Sequence, residues 1–431
     1  MNETLYFLLK LIGEGHSVIT DSRQIKPGCI FLALKGESFD GNTFALQALE
    51  NGAQVAVIDN PKYVKNSQTL LVPDVLETLQ KLANEWRKKF KIPVIGITGT
   101  NGKTTTKELV REVVAMKYKT HATSGNFNNH IGVPLTLLSM PADSQVAIIE
   151  MGANHLNEIA ELCEIALPNL GIITNVGKAH LEGFGSFEGI VETKTGLYRS
   201  IKSRDGVVFV NSDNNLLILK SGLQRRVTYG QRINADFRGK ILDSPSFLRL
   251  SYISENKEWV LQTKLVGNYN FDNVMAAVTV GKYLNVADEL IKEAIEHYQP
   301  SNNRSQWIES ANNQIIMDAY NANPSSMNVA LENFQSLSAN NKVVILGDML
   351  ELGEYSEEEH QKVIEMIETM NLAQAILIGP VFKSVCKSSS IQLFYNSDEA
   401  KVWLLNHKIS ESLVLLKGSR GIKLEKVLET L

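Results

Sequence analysis

Along most of this chain, short apolar runs alternate with stretches whose apolar residues recur at helical spacing. The runs Cys29 to Leu34, Val55 to Ile58, Ile92 to Ile97 (broken by Pro93 and Gly96), Val146 to Glu150 and Leu170 to Asn175 have the length and apolar character of strands. Helical patterns separate them. Val75 to Lys89 is one, ending in basic residues, and another opens at Lys103 with Leu109, Val110, Val113 and Val114 on one face. Such alternation predicts an α/β fold with a mostly parallel sheet. From about Ser203 to Leu265 the pattern is more strand-like and polar, as in an added β region, and a helix around Asn273 to Leu284 follows. After the Pro300-Ser301-Asn302-Asn303 turn the alternation resumes. Gln314 to Asp318, Lys342 to Gly347, Ala375 to Gly379 and Leu413 to Leu416 read as buried parallel strands of a second doubly wound unit.

A chain of 431 residues exceeds one compact core, and the pattern divides it into three domains, 1–90, 91–300 and 301–431. With 44% apolar and 21% charged residues there is ample material for those cores. A net charge of −4 without a long basic run argues against a nucleic-acid partner. Cys29, Cys163 and Cys386 are odd in number and lack CxxC spacing, so they read as reduced thiols. No apolar run approaches the ~20 residues that span a bilayer, so no membrane insertion is expected. Met1-Asn2-Glu3-Thr4 lacks the basic start of a signal peptide. A cytoplasmic monomer is the expectation.

The most informative segment is Ile97-Thr98-Gly99-Thr100-Asn101-Gly102-Lys103-Thr104-Thr105-Thr106. A strand, a glycine-rich turn and a helix start follow one another in the order that cradles a nucleoside triphosphate. Backbone N–H groups and the helix dipole face the anion, Lys103 neutralises it, and the Thr104 hydroxyl can hold Mg²⁺. The plain alternative is a chance Gly-Lys-Thr in a surface turn. Only Thr100 and Asn101 separate Gly99 from Gly102, whereas the common phosphate loop has four residues there and would need glycine at Ile97.

Further candidates follow. Glu150 ends an apolar strand, where a carboxylate faces the crevice in which open parallel sheets bind ligands, and Mg²⁺ is its natural partner beside a phosphate loop. A solvated strand-end glutamate is the alternative. His180, in Thr174-Asn175-Val176-Gly177-Lys178-Ala179-His180-Leu181-Glu182, could ligate a metal, orient a phosphate or be merely structural. Lys194 by itself reads as a solvated helix lysine. The segment Gly125-Asn126-Phe127-Asn128-Asn129-His130 reads as a turn.

The short form Gly-Thr-Asn-Gly-Lys-Thr resembles the phosphate loop of the Mur ligases, which build the peptide of bacterial cell-wall precursors, and of the related folylpolyglutamate synthetases. In the folate enzymes Gly-Ser usually follows the lysine, whereas Thr104-Thr105 stands here. The resemblance to the Mur ligases extends through Glu182-Gly183-Phe184-Gly185-Ser186-Phe187-Glu188 to Lys194, through Thr20-Asp21-Ser22-Arg23 and Pro27 to Gly36 (which includes Lys35), and through Asp318 to Met327. It also takes in Gly347-Asp348-Met349-Leu350-Glu351-Leu352-Gly353 and Leu416-Lys417-Gly418-Ser419-Arg420-Gly421. The match is not complete: Gly196, Tyr269 and Asn42 replace residues that are often Glu, His and His in the family.

That resemblance implies a small α/β N-terminal substrate domain, a central ATPase domain and a C-terminal Rossmann-like domain. It implies ATP and Mg²⁺ as cofactors and a lysine carbamylated by CO₂ at Lys194. Gly99, Thr100, Asn101, Gly102, Lys103, Thr104, Thr105, Asn273, Arg304 and Asp318 would hold the nucleotide. Thr104, Glu150, His180 and Lys194 would serve the metals, with Lys103, His180 and Lys194 as the catalytic set. Ser22, Arg23, Lys35, Asn128, Asn129, Asn321 and Asn323 would touch substrate.

The implied reaction is joining of D-Ala-D-Ala to UDP-N-acetylmuramoyl-tripeptide through an acyl phosphate, in cell-wall synthesis. A ligase adding the third residue is the nearest alternative. It carries Asp-Asn-Pro-Arg in its last domain, whereas Asp59-Asn60-Pro61-Lys62 here lies in the first and lacks the arginine. A nucleotide-driven switch protein is the alternative from another class.

Overall fold

In the computed structural model, residues 3–179, 181–222, 225–244, 246–301 and 303–431 are described. Three parallel-rich sheets follow one another along the chain. The first has four strands, in the order Val18–Ile19, Ile30–Leu32, Val55–Ile58, Thr69–Leu71, all parallel. The helix that follows, Val75–Lys88, is capped by Asp74 and buries Leu79, Leu82 and Trp86. The Asn84 and Arg87 side chains donate to backbone carbonyls from Glu164 to Leu167, which fixes this helix against the next body.

The second sheet has nine strands. Seven run parallel, from the edge strand Thr120–Ala122 through Val146–Glu150, Val94–Thr98, Leu170–Ile173, Val207–Asn211 and Arg226–Gly230 to Phe237–Leu242. The strand expected at Ile92 starts at Val94, after Pro93, which has no N–H to give a ladder. The added β region expected after Ser203 attaches to the edge of this sheet. Phe247–Ser254 and Lys257–Val266 add antiparallel to Phe237–Leu242 and extend the same sheet. Apolar layers cover both faces. Ile149, Leu162, Leu197 and Ile201 belong to one; Ile97, Val110, Val113, Met275 and Val278 belong to the other.

Val94–Thr98 lies between Val146–Glu150 and Leu170–Ile173. The chain leaves Val94–Thr98 toward one edge and later returns to its other side, which makes the carboxyl end of this strand a topological switch point. The third sheet has a second such point. Its order is Gln306–Glu309, Asn313–Asp318, Ser412–Lys417, Lys342–Gly347, Gln374–Ile378, Gln392–Phe394, all parallel except the first pair. Among the described residues no helix is long and apolar enough to cross a membrane.

Candidate active site

The loop after Val94–Thr98 is made possible by its two glycines. Gly99 has φ +149°, and a side chain there would collide with the Thr174 hydroxyl. Gly102 has φ +77°, and a Cβ would sit 2.6 Å from Asn273 Oδ1. Gly102 then opens the helix Lys103–Ala115 with no side chain capping its first N–H groups. A helix start left free in this way is an anion site. Lys103 curls over the loop and donates to the carbonyls of Gly99 (2.7 Å) and Thr100 (2.9 Å). Burial pushes its pKa down to about 8, aided by Arg304 and opposed by Glu150.

Glu150 is almost fully buried at the end of its strand. Its carboxylate accepts the Thr104 hydroxyl on both oxygens (2.9 and 3.1 Å) and the Asn128 amide at 2.8 Å. The set is held from behind. Thr123 Oγ1 accepts the Glu150 N–H at 3.0 Å, and the buried Lys107 donates to the Thr123 carbonyl at 2.7 Å. A buried carboxylate held here by neutral donors suits a cation, and Mg²⁺ beside phosphates needs only one or two protein ligands.

Lys194 lies on Phe187–Ser203, a helix capped by the Ser186 hydroxyl at Gly189 N–H. It is buried, not solvated. Its ammonium donates to the Gly99 carbonyl at 3.2 Å and lies 5.7 Å from the Phe184 ring centroid. Burial first, and then the neighbouring Lys103 charge, bring its pKa down to about 7. Phosphate loop, buried carboxylate and buried lysine therefore meet at one switch point. His180 lies outside the described residues.

Asn273 belongs to this centre too, since its Oδ1 accepts the Thr106 hydroxyl at 2.9 Å. Thr105 follows in the first helical turn. Thr100 ties the loop to the next strand's exit through Gly177, and Asn101 reaches the third sheet through Asn323 and Ser325. Asp318 ends its strand in an ion pair with the buried Lys417 (2.6 Å) and accepts the Ser305 N–H. The Arg304 guanidinium lies 3.6 Å from the Tyr320 ring centroid, and that of Arg420 lies 5.3 Å from it.

The remaining expected residues have local roles. Asn129 Oδ1 accepts the Gly132 N–H at the start of Gly132–Leu138. Asn321 Oδ1 takes the Ala322 N–H, while Asn323 caps Pro324–Ser336. Ser22 and Arg23 sit in a short turn, Ser22–Gln24, where the Arg23 guanidinium grips Asp21. That contact lowers the Asp21 pKa to about 2. Lys35 pairs with Asp59 at 2.8 Å, and the buried Asn42 amide spans Asp40, Asp59 and Asn60.

Sequence reasoning missed Lys107 and Thr123, and gave no role of their own to Tyr320, Ser325 and Lys417 within the segments Asp318 to Met327 and Leu416 to Gly421. Lys107 left a signal, a lysine one helical turn beyond Lys103 with apolar neighbours at the next two turns.

Three family descriptions match the chain. "Mur ligase family, catalytic domain" covers residues 14–100, "Mur ligase middle domain" 97–281, and "Mur ligase, glutamate ligase domain" 303–420. The UDP-N-acetylmuramoyl-tripeptide–D-alanyl-D-alanine ligase of Bacillus subtilis (strain 168) is 34% identical over 427 residues, covering 96% of this chain and 93% of that protein. A crystal structure of MurF from Acinetobacter baumannii superposes with a TM-score of 0.87 at 30% identity, over 98% of this chain and 97% of that one. MurF ligase from Thermotoga maritima in complex with ADP gives a TM-score of 0.86 at 27% identity, over 100% and 98%.

Proposed function

The chain belongs to the Mur ligase family, and on that premise we propose that it joins D-Ala-D-Ala to UDP-N-acetylmuramoyl-tripeptide at the expense of ATP. The full-length likeness to D-alanyl-D-alanine ligases supports the choice of substrates. The observation that carries the chemistry is Glu150, buried without an ion pair among the described residues and bonded to Thr104 in the first turn of an uncapped phosphate-loop helix.

An amide forms from a carboxylate in water only after the acid is activated. The tripeptide carboxylate attacks the γ-phosphorus of ATP, ADP leaves, and an acyl phosphate results. The dipeptide amine then adds to that carbonyl carbon, loses a proton, and phosphate departs with one former carboxylate oxygen. Positioning and charge stabilisation dominate the first step. The free N–H groups from Gly102 to Thr105 and the Lys103 ammonium hold the phosphates, on the loop that Gly99, Thr100 and Asn101 shape. Lys103, freed from its two carbonyls, follows the charge that develops on the γ-phosphoryl oxygens. Thr104 and Glu150 would hold Mg²⁺, which would supply positive charge to offset the charge developing on the transferred phosphoryl group. Asn273 faces the base, and Arg304 and Asp318 reach the nucleotide from the third sheet. Asn128, Asn129, Ser22, Arg23 and Lys35 face the UDP-linked substrate, and the segment Asn321 to Asn323 the amine substrate.

Lys194 fits the carbamylation that the family resemblance implies. A pKa near 7 leaves a large neutral fraction of amine to add CO₂, and the carbamate would be an anion close to the metal. Mass analysis of the intact protein, with and without bicarbonate, tests this by the mass of one CO₂. The domain limits 1–90, 91–300 and 301–431, action as a monomer, and a cytoplasmic location complete the reading.

The test is product formation from ATP, Mg²⁺ and UDP-N-acetylmuramoyl-tripeptide with D-Ala-D-Ala or with single amino acids. A UDP-linked pentapeptide made only from the dipeptide is expected. Products made only from single amino acids on the shorter muramyl dipeptide would assign the third-residue activity instead.

A further inference from the structure

Asn101 stands between the two glycines of the phosphate loop, yet its side chain bonds to Ser325 and Asn323 beyond the loop. Its backbone belongs to the central sheet. The N–H donates to Asn175 Oδ1 at 3.0 Å, and the carbonyl accepts the Thr174 hydroxyl at 2.6 Å and the Asn175 amide at 3.1 Å. Its side chain belongs to the third sheet. Asn101 Nδ2 donates to Ser325 Oγ at 2.9 Å, Ser325 Oγ donates to Asn323 Oδ1 at 2.8 Å, and Asn323 Nδ2 donates back to Asn101 Oδ1 at 2.9 Å.

These three bonds form a closed ring. Each member gives one hydrogen and takes one, so no member can be replaced by a pure acceptor such as Asp without breaking it. Ring members polarise one another, and losing one leaves two partly buried groups without a partner. Asn323 is also the N-cap of Pro324–Ser336, so the ring grips a rigid helix start and not a loose loop. On the other side, Ser325 packs over Gly177, where an added Cβ would come within 3.2 Å of its hydroxyl. The ring can exist only while the third sheet is seated on the phosphate loop.

We propose that the Asn101–Ser325–Asn323 ring is the latch that couples the seating of the third sheet to the phosphate loop, with Asn101 a positioning residue for the amine-addition step. The inference rests on the ligase reading above. In that reading the acyl phosphate forms beside the loop, while the amine arrives with the third sheet. An open seat lets water reach the acyl phosphate before the amine does. Backbone N–H groups hold ATP whatever the Asn101 side chain does, so ATP binding is not what the latch serves.

The test compares wild type with Asn101→Ala, Ser325→Ala and the double variant. Amide formation and phosphate release are measured together, and each variant is checked for an unchanged thermal midpoint. Each single variant should raise KM for D-Ala-D-Ala about tenfold, as expected for the loss of a bonded pair in a partly buried ring. Each should also release more phosphate per amide formed, with KM for ATP changed less than about twofold. The double variant should be no worse than the worse single, because one broken bond already opens the ring. Purely additive effects, or a raised KM for ATP with tight phosphate-to-amide coupling, would overturn the latch. If Asn101→Ala lowers the thermal midpoint, Ser325→Ala alone decides, through the same coupling ratio. A wild type that forms no amide defeats the ligase reading; a ligating wild type matched by both variants defeats only the latch.

Discussion

Replacing Lys194 by Met keeps most of the buried stem and removes the charge. Its pKa falls from the ordinary 10.5 to about 7. The folded protein therefore binds fewer protons than the unfolded chain between these values, and stability rises with pH across that window. Below about 7 the lysine is charged in both states and the native state bears the full burial cost. That cost has an upper limit of roughly 5 kcal/mol. Local rearrangement in a medium more polarisable than dry protein reduces it to about 2–3 kcal/mol. Against this, Met loses the 3.2 Å bond to the Gly99 carbonyl, a loss of about 1 kcal/mol. Burial wins at acid pH. Lys194→Met should be about 1–2 kcal/mol more stable than wild type at pH 6, with the gap closing or reversing by about 1 kcal/mol near pH 10. Amide formation should fall at least about 100-fold, as when a charged group is removed from such a site. The assay is the urea midpoint at both pH values, in CO₂-free buffer without nucleotide. A variant less stable than wild type at pH 6, or a gap equal at both pH values, would refute the reasoning.

Three other substitutions probe separate parts of the account. Glu150→Gln keeps the volume but removes the charge that faces the cation, so phosphoryl transfer should drop about 100-fold and the Mg²⁺ needed for half-maximal rate should rise; a Mg²⁺ titration identical to wild type would count against Glu150 as a ligand. Gly102→Ala forces a side chain into the left-handed region and to 2.6 Å from Asn273 Oδ1, so KM for ATP should rise about tenfold or more, and unchanged nucleotide binding by calorimetry would contradict this. Asn42→Ala removes an amide buried among Asp40, Asp59 and Asn60 and should destabilise the four-stranded body by about 2–4 kcal/mol. Faster amide exchange confined to residues 18–71 is the expected readout, and undisturbed protection there would refute it.

The site was legible in the sequence where chemistry depends on local order. A strand, two glycines and a helix start define the phosphate loop within ten residues, and Glu150 was found because ligands gather at the carboxyl ends of parallel strands. The Lys194 environment was not legible from periodicity alone. Its burial follows from the packing of Phe187–Ser203 over Gly99 and Phe184, which only tertiary structure creates. The Asn101 ring joins residues 222 and more positions apart, and no local rule predicts such a bond. Turn chemistry hid the other half of Asn129, whose carbonyl oxygen is spent on a helix N–H. The strand-like, polar stretch after Ser203 was legible as an added β region, but not where it attaches. It joins the central sheet because the parallel edge at Phe237–Leu242 was open to antiparallel addition.

The most direct measurement follows an oxygen atom. The reacting carboxylate of UDP-N-acetylmuramoyl-tripeptide is labelled with heavy oxygen and incubated with the protein, ATP, Mg²⁺ and D-Ala-D-Ala. The account predicts one labelled oxygen in each phosphate released, with one pentapeptide formed for each. Phosphate that takes its oxygen only from water, at a rate indifferent to the dipeptide, would contradict it.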